Sequence, residues 1–186
     1  MFVFGWGLPK EFNIKTIQKL YNGMGWVSEW SGKTVSGLII VLVIAIAYDV
    51  TARYIFNAPT IWSFSVSYML GGTFAALGLC YVYYYNGNVR VDIIYSRLSP
   101  KGKLIIDILF TVIFFFPLFF TLAKLFIQDA LFSYSTHEVG FESVLYPVLW
   151  PFKTLLALGF SLLFLQGVAT FVKDVAALVK GGREPW

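Results

Sequence analysis

Apolar residues gather into four long stretches, at 34–54, 62–85, 104–127 and 154–172, and the polar residues fall almost wholly between them. A helix rises about 1.5 Å per residue, so about 20 apolar residues cross a hydrocarbon core of about 30 Å. Each stretch is long enough to span. Ahead of them, Phe12, Ile14, Ile17, Leu20, Tyr21, Met24 and Trp30 recur at near-helical spacing, with Lys15 and Lys19 on other faces. This segment, 11–30, is too polar to span and predicts an amphipathic helix lying in the membrane interface. Gly23 and Gly25 weaken its middle. The expected fold class is therefore an all-α membrane protein. An N-terminal tail with an interfacial helix fills 1–33, a four-helix transmembrane domain fills 34–172, and a C-terminal tail fills 173–186.

Punctuation agrees with this division. Pro59, Pro100, Pro147 and Pro151 mark span boundaries, where helices cannot continue. Pro117 falls inside the third stretch and is expected to kink it or loosen its backbone bonds. Trp62, Trp150 and the tyrosines of 81–85 stand at the predicted interfaces as an aromatic belt. Gly71, Gly72 and Gly78 suggest one small-residue face on the second span, suited to close helix contact.

Composition adds that little else fits. The chain is 58% hydrophobic and 13% charged, against about 25% charged in soluble domains. Four spans leave too few residues for a separate soluble domain of ordinary size.

Charge adds orientation. The connection at 86–103 carries Arg90, Arg97, Lys101 and Lys103 against Asp92, and both tails carry lysines or arginines in excess of acids. The connection at 57–61 has no charge, and that at 128–150 carries Asp129, Glu138 and Glu142 with no Lys or Arg. Lys and Arg stay in the cytoplasm. Both termini and the middle connection are expected there, with the other two connections facing outward.

Few residues carry candidate chemistry. Asp49 and Arg53 lie four apart on the first span and share a face. The pair fits a subunit contact, an interfacial pair snorkelling to headgroups, or an ion path. Asp107 and Lys124 lie near opposite ends of span three and can snorkel. Lys153 opens the fourth span on the outward side, against the charge rule. It is expected to pair with Glu142 or to bind lipid phosphate. Cys80 is the one cysteine and His137 the one histidine. Helical haem sites often take two His, and zinc sites want clustered Cys and His. No metal, cofactor or catalytic residue is expected in this chain, and no enzyme activity. Spans two and four are almost free of ionisable residues at mid-depth, unlike a self-contained transporter.

The run Arg53-Tyr54-Ile55-Phe56-Asn57, followed by Pro59 and Trp62, resembles the first outward turn of the small membrane subunit of the tripartite ATP-independent periplasmic (TRAP) transporters. Asn88-Val89-Arg90-Val91-Asp92 resembles that family's loop after the second span, where His-Val-Arg-Val-Asp is usual. Glu142, Pro147, Trp150-Pro151-Phe152-Lys153, Gly159 and Gln166 resemble its approach to and passage through the fourth. Two departures stand out. Asn88 replaces the common His, and Ser63, Ser65 and Ser67 follow Trp62 where a Glu is frequent.

The resemblance implies a scaffold subunit in the bacterial inner membrane, beside a larger elevator-type subunit. That subunit would hold the substrate and the Na⁺ sites. A periplasmic binding protein would deliver an organic acid. On this reading the partners are those two proteins and membrane lipids, with no nucleic acid. Asp49, Arg53, Trp62, Gly71, Gly78, Arg90 and Asp92 are the expected structural or subunit-contact residues. Glu138 and Glu142 are the expected docking residues for the binding protein, and Lys153 the expected lipid contact. Two alternatives stay open: an independent small transporter or channel, and a respiratory membrane anchor associated with quinone.

Overall fold

The structure is a computed structural model and describes residues 14–58, 60–85, 87, 98–140 and 146–179. It contains α1 (Ile14–Ile55), α2 (Ser63–Tyr84), α3 (Pro100–Phe110), a π turn (Thr111–Phe115), α4 (Phe116–Thr136) and α5 (Trp150–Val179). Four helical segments are long and apolar enough to cross a membrane: Tyr21–Ile55, Ser63–Tyr84, Pro100–Thr136 and Trp150–Val179. Among the described residues there is no strand, only one bridge between Val139 and Val148. The expected all-α, four-span fold is present.

The N-terminal segment differs from expectation. Residues 14–33 are helical, but no break divides them from the first span, and α1 runs unbroken for 42 residues. Packing on its glycines explains this. A Cβ on Gly25 would fall 2.5 Å from the Tyr84 ring, and one on Gly32 would overlap Tyr81. These two glycines are where two α2 tyrosines lie close on α1. That close packing outweighs the roughly 1 kcal/mol of helix propensity each Gly forfeits. At about 1.5 Å per residue α1 is about 63 Å long, twice the hydrocarbon thickness, so it tilts or projects beyond it.

α3 starts where local chemistry dictates. Ser99 caps it by accepting from Gly102 N at 3.2 Å, with Pro100 in the first turn, a position that needs no backbone donor. Pro117 then meets the difficulty expected of it. Its ring would clash with the carbonyl four residues back. The π turn resolves this, with Phe116 N–H donating five residues back to Thr111 O. The extra residue aims Phe115 at α5, where Gly167 lies beneath its ring. Tyr83 and Phe119 flank that ring, with centroids 4.9 and 4.5 Å away.

The helices form an open row rather than a closed bundle. α5 packs on α4, on α2 and on part of α1, while α1 and the α3–α4 span make no substantial contact among the described residues. α5 runs antiparallel to α4: Tyr134 meets Trp150 near one end, and Phe126 stacks on Phe160 further in. α2 runs parallel to α5, with Phe152 against Tyr68 and Gly72, and Gly159 against Ala76. The seams are made of small residues: Ala45, Ala76, Ala123, Ala130, Ala157 and Ser65 are buried. Large side chains point away, Ile40 and Ile44 at 63% exposed and Leu131 at 65%. In lipid, apolar surface has no reason to hide, and small residues let backbones approach.

The expected single glycine face on α2 is divided. Gly78 faces Val35 on α1, Gly72 lies under Phe152 on α5, and Gly71 has nothing within 4 Å. Successive helical residues are about 100° apart, so 71 and 72 cannot serve one contact.

Candidate functional site

Polar side chains gather at three stations along this row. The end carrying the connections at 57–61 and 137–149, which the charge pattern is expected to place outward, is called the outer end.

The first station closes the α1–α2 turn. Arg53 donates to Asp49 at 2.8 Å across one helical turn. The same carboxylate accepts from Thr60 N at 3.3 Å and from the Thr60 hydroxyl. Asp49 is thus mostly covered (13% exposed) while Arg53 stays open at 56%. Asn57, at φ 50°, turns the chain back, and Ala58 N donates to Ala52 O at 3.0 Å. Trp62 stacks on Tyr48 at 5.8 Å. The expected pair is present, and its purpose inside the chain is to hold the turn. Sequence spacing had no signal for Thr60, which is eleven residues from Asp49.

The second station lies at the outer end of α5. Lys153 donates to Glu138 at 2.7 Å and to Asp129 at 3.0 Å. The lysine expected to seek Glu142 or a phosphate thus already holds two carboxylates, one from α4 and one from the connection beyond it. Two acids around one ammonium offset the charge that the sidedness rule would count against an outward lysine here. The Lys153 hydrogen bond holds the Glu138 carboxyl below its ordinary value. His137, at φ 47°, ends α4 as its left-handed cap. The connection returns through Gly140 N to Pro147 O at 2.8 Å and Leu149 N to Glu138 O at 3.0 Å. A cavity of about 360 Å³ opens beneath this return, and both Lys153 and Glu138 line it.

The third station is buried where α1, α2 and α5 meet. Ser28, Cys80 and Gln166 are each wholly covered. The Ser28 hydroxyl lies 3.0 Å from Met24 O, 3.2 Å from Cys80 Sγ and 3.2 Å from Gln166 Oε1. Gln166 Nε2 has no protein partner among the described residues. Cys80 is a small buried side chain in the second span. Its partnership with Ser28 and Gln166 links three segments far apart in sequence, which no local pattern reveals. Towards the inner end, Tyr85 donates to Glu29 at 3.0 Å. Lys173 lies over the Tyr21 ring at 4.8 Å.

Arg90, Asp92 and Glu142 lie outside the described residues. Among the described residues no group of three His, Cys, Asp or Glu side chains is arranged to hold a metal ion. Each polar station thus clamps a turn or a seam.

Comparison with known proteins agrees with this geometry. No curated protein and no solved structure matches the chain. The sequence pattern of one family, described as "Tripartite ATP-independent periplasmic transporters, DctQ component", matches residues 42–177. It takes in the outer part of α1, every other span, the Asp49–Thr60 turn and the Lys153 cluster. This is a family of transporter components and not of enzymes. With four span-forming helices and a match over most of its length, the chain is a multi-pass membrane protein of the DctQ component family of TRAP transporters.

Proposed function

We propose that this chain is the fixed, non-transporting scaffold of its transporter, beside a larger elevator-type subunit that carries the substrate. The large subunit would take up an organic acid delivered by a periplasmic binding protein, driven by Na⁺. The inner membrane, with both termini cytoplasmic, is the setting that the charge pattern favours.

One observation carries the reading. The row is open: α1 and the α3–α4 span make no substantial contact among the described residues, so they enclose no site between them and both flanks are left for a partner. Ile39, Ile40, Val43 and Ile44 on α1 and Ile113, Phe114 and Leu118 on the third span are all exposed. A transporter that worked alone would close its helices around a polar mid-depth site. Here the buried seams are built of small, tightly packed side chains, with Ser65, Thr73 and the Ser28–Cys80–Gln166 cluster as polar members, which suits a rigid wall. Arg53 and Asp49 would brace its outer corner. Arg90, Asp92 and Glu142 remain proposed contacts on sequence grounds.

The test is photo-crosslinking in the native membrane. A photoreactive residue at Ile44 or Phe114 is expected to capture the large membrane subunit, and one at Leu156, in the seam, is not. Capture of lipid alone from both flanks would count against the scaffold reading.

A further inference from the structure

The outer cavity has a chemistry that the scaffold role does not use. Its walls are Tyr68 and Met69 of α2, Phe152 of α5 and Pro147 of the returning connection, with Lys153 and Glu138 as its charged groups. An ammonium has three donors, and Lys153 commits two, to Asp129 and Glu138. One donor remains. A carboxylate accepts at about four sites, so Glu138 has acceptor capacity left after Lys153. The cavity therefore offers one cationic donor and one anionic acceptor side by side, with an aromatic and aliphatic wall below them.

We infer that this cavity holds the headgroup of a zwitterionic phospholipid bearing a primary amine. The phosphodiester would take the remaining Lys153 donor, and the amine would donate to Glu138. The glycerol and upper acyl chain would lie along Tyr68, Met69 and Phe152. Depth favours a lipid over a protein side chain. Met69 is seven residues along α2 from Trp62, about 10 Å deeper, whereas the headgroup layer is only about 5–8 Å thick. A soluble partner would have to reach through that layer, in which a headgroup already lies. The volume of about 360 Å³ is also far more than an ion needs. The bound lipid would seal the open wedge between α2, α5 and the connection at the outer end of the row. This site does not depend on the scaffold reading, since it lies wholly within one chain.

Native mass spectrometry of the full chain, from nanodiscs with equal phosphatidylethanolamine, phosphatidylcholine and phosphatidylglycerol, tests it. Phosphatidylethanolamine is expected to be retained roughly tenfold over the others, the size of one charge-assisted hydrogen bond. Phosphatidylcholine has no N–H to give Glu138, and phosphatidylglycerol has no amine. Glu138→Gln is expected to remove the preference. Val139→Trp, which fills the cavity from its rim and leaves the ion cluster in place, is expected to remove the bound lipid. Equal retention of all three lipids, or phosphatidylethanolamine retained unchanged by Val139→Trp, would overturn the inference. So would displacement of the lipid by an added periplasmic binding protein. Loss of uptake on deleting the chain bears only on the scaffold reading and leaves this result untouched.

Discussion

Gly159 of α5 lies directly against the backbone of Ala76 on α2: a Cβ at 159 would fall 2.8 Å from the Ala76 carbonyl carbon. Here backbone meets backbone, and the seam joins the two parallel helices that meet the flanking ones. Because the obstacle is backbone, no side chain can swing aside. Gly159→Ala is expected to cost about 1–3 kcal/mol, as overpacking does, and Gly159→Leu to separate the helices. Thermal unfolding in detergent, followed by intrinsic fluorescence, measures this. Gly71→Ala, which meets nothing within 4 Å, is the control and is expected to leave the isolated chain as stable or more stable, by up to about 1 kcal/mol of helix propensity.

The contact between Phe115 and Gly167 depends on the π turn. Phe115→Ala removes a ring packed among Tyr83, Phe119 and Gly167. A loss of about 2 kcal/mol is expected, below the roughly 3–5 kcal/mol of a fully buried Phe because Phe115 is only half-buried. Pro117→Ala permits a regular helix and rotates position 115 off the glycine. Oxidative crosslinking reads that rotation. The double variant Phe115→Cys with Gly167→Cys is expected to form a disulfide, and adding Pro117→Ala is expected to suppress it, with helix content unchanged by circular dichroism.

Gln166 leads to the opposite expectation. Its Nε2 is buried without a protein partner among the described residues, and an unmet buried donor costs about 1–3 kcal/mol. Gln166→Leu removes that donor and leaves Ser28 its Met24 carbonyl, 3.0 Å away. The variant is expected to be as stable as the parent or more so. Clear destabilisation in the same unfolding assay would mean that the amide is satisfied in the membrane.

The Lys153–Glu138 contact makes the outer connection sensitive to acid. The folded Glu138 carboxyl titrates below its ordinary value of 4.5, chiefly because Lys153 donates to it. Its stabilisation is therefore complete above that value and is lost as pH falls from about 4.5 through the lowered one. Hydrogen exchange of the Glu138, Gly140 and Leu149 amides is expected to rise over that window after correction for intrinsic rates. In Glu138→Gln the connection is expected to exchange faster at neutral pH, with no further step on acidification.

The spans were legible because their signal is long and local: each needs about 20 apolar residues, and nothing in the chain competes. Arg53 and Asp49 were legible for the same reason, lying one helical turn apart. What the sequence did not reveal depends on partners distant along the chain. Thr60 reaches Asp49 across a turn, and Asp129 and Glu138 reach Lys153 across a connection. Ser28, Cys80 and Gln166 come together only when three helices meet. Gly25 misled for a physical reason. Propensity marks it as a weak point of a helix, whereas packing against Tyr84 makes it a fixed point of one.

The central claim is that this chain supports transport without performing it. Proteoliposomes containing this chain alone, the large membrane subunit alone, or both, each given the binding protein and an inward Na⁺ gradient, test it most directly. Uptake of the delivered organic acid is predicted only where both membrane chains are present. Uptake by this chain alone, or full uptake by the large subunit without it, would contradict the account.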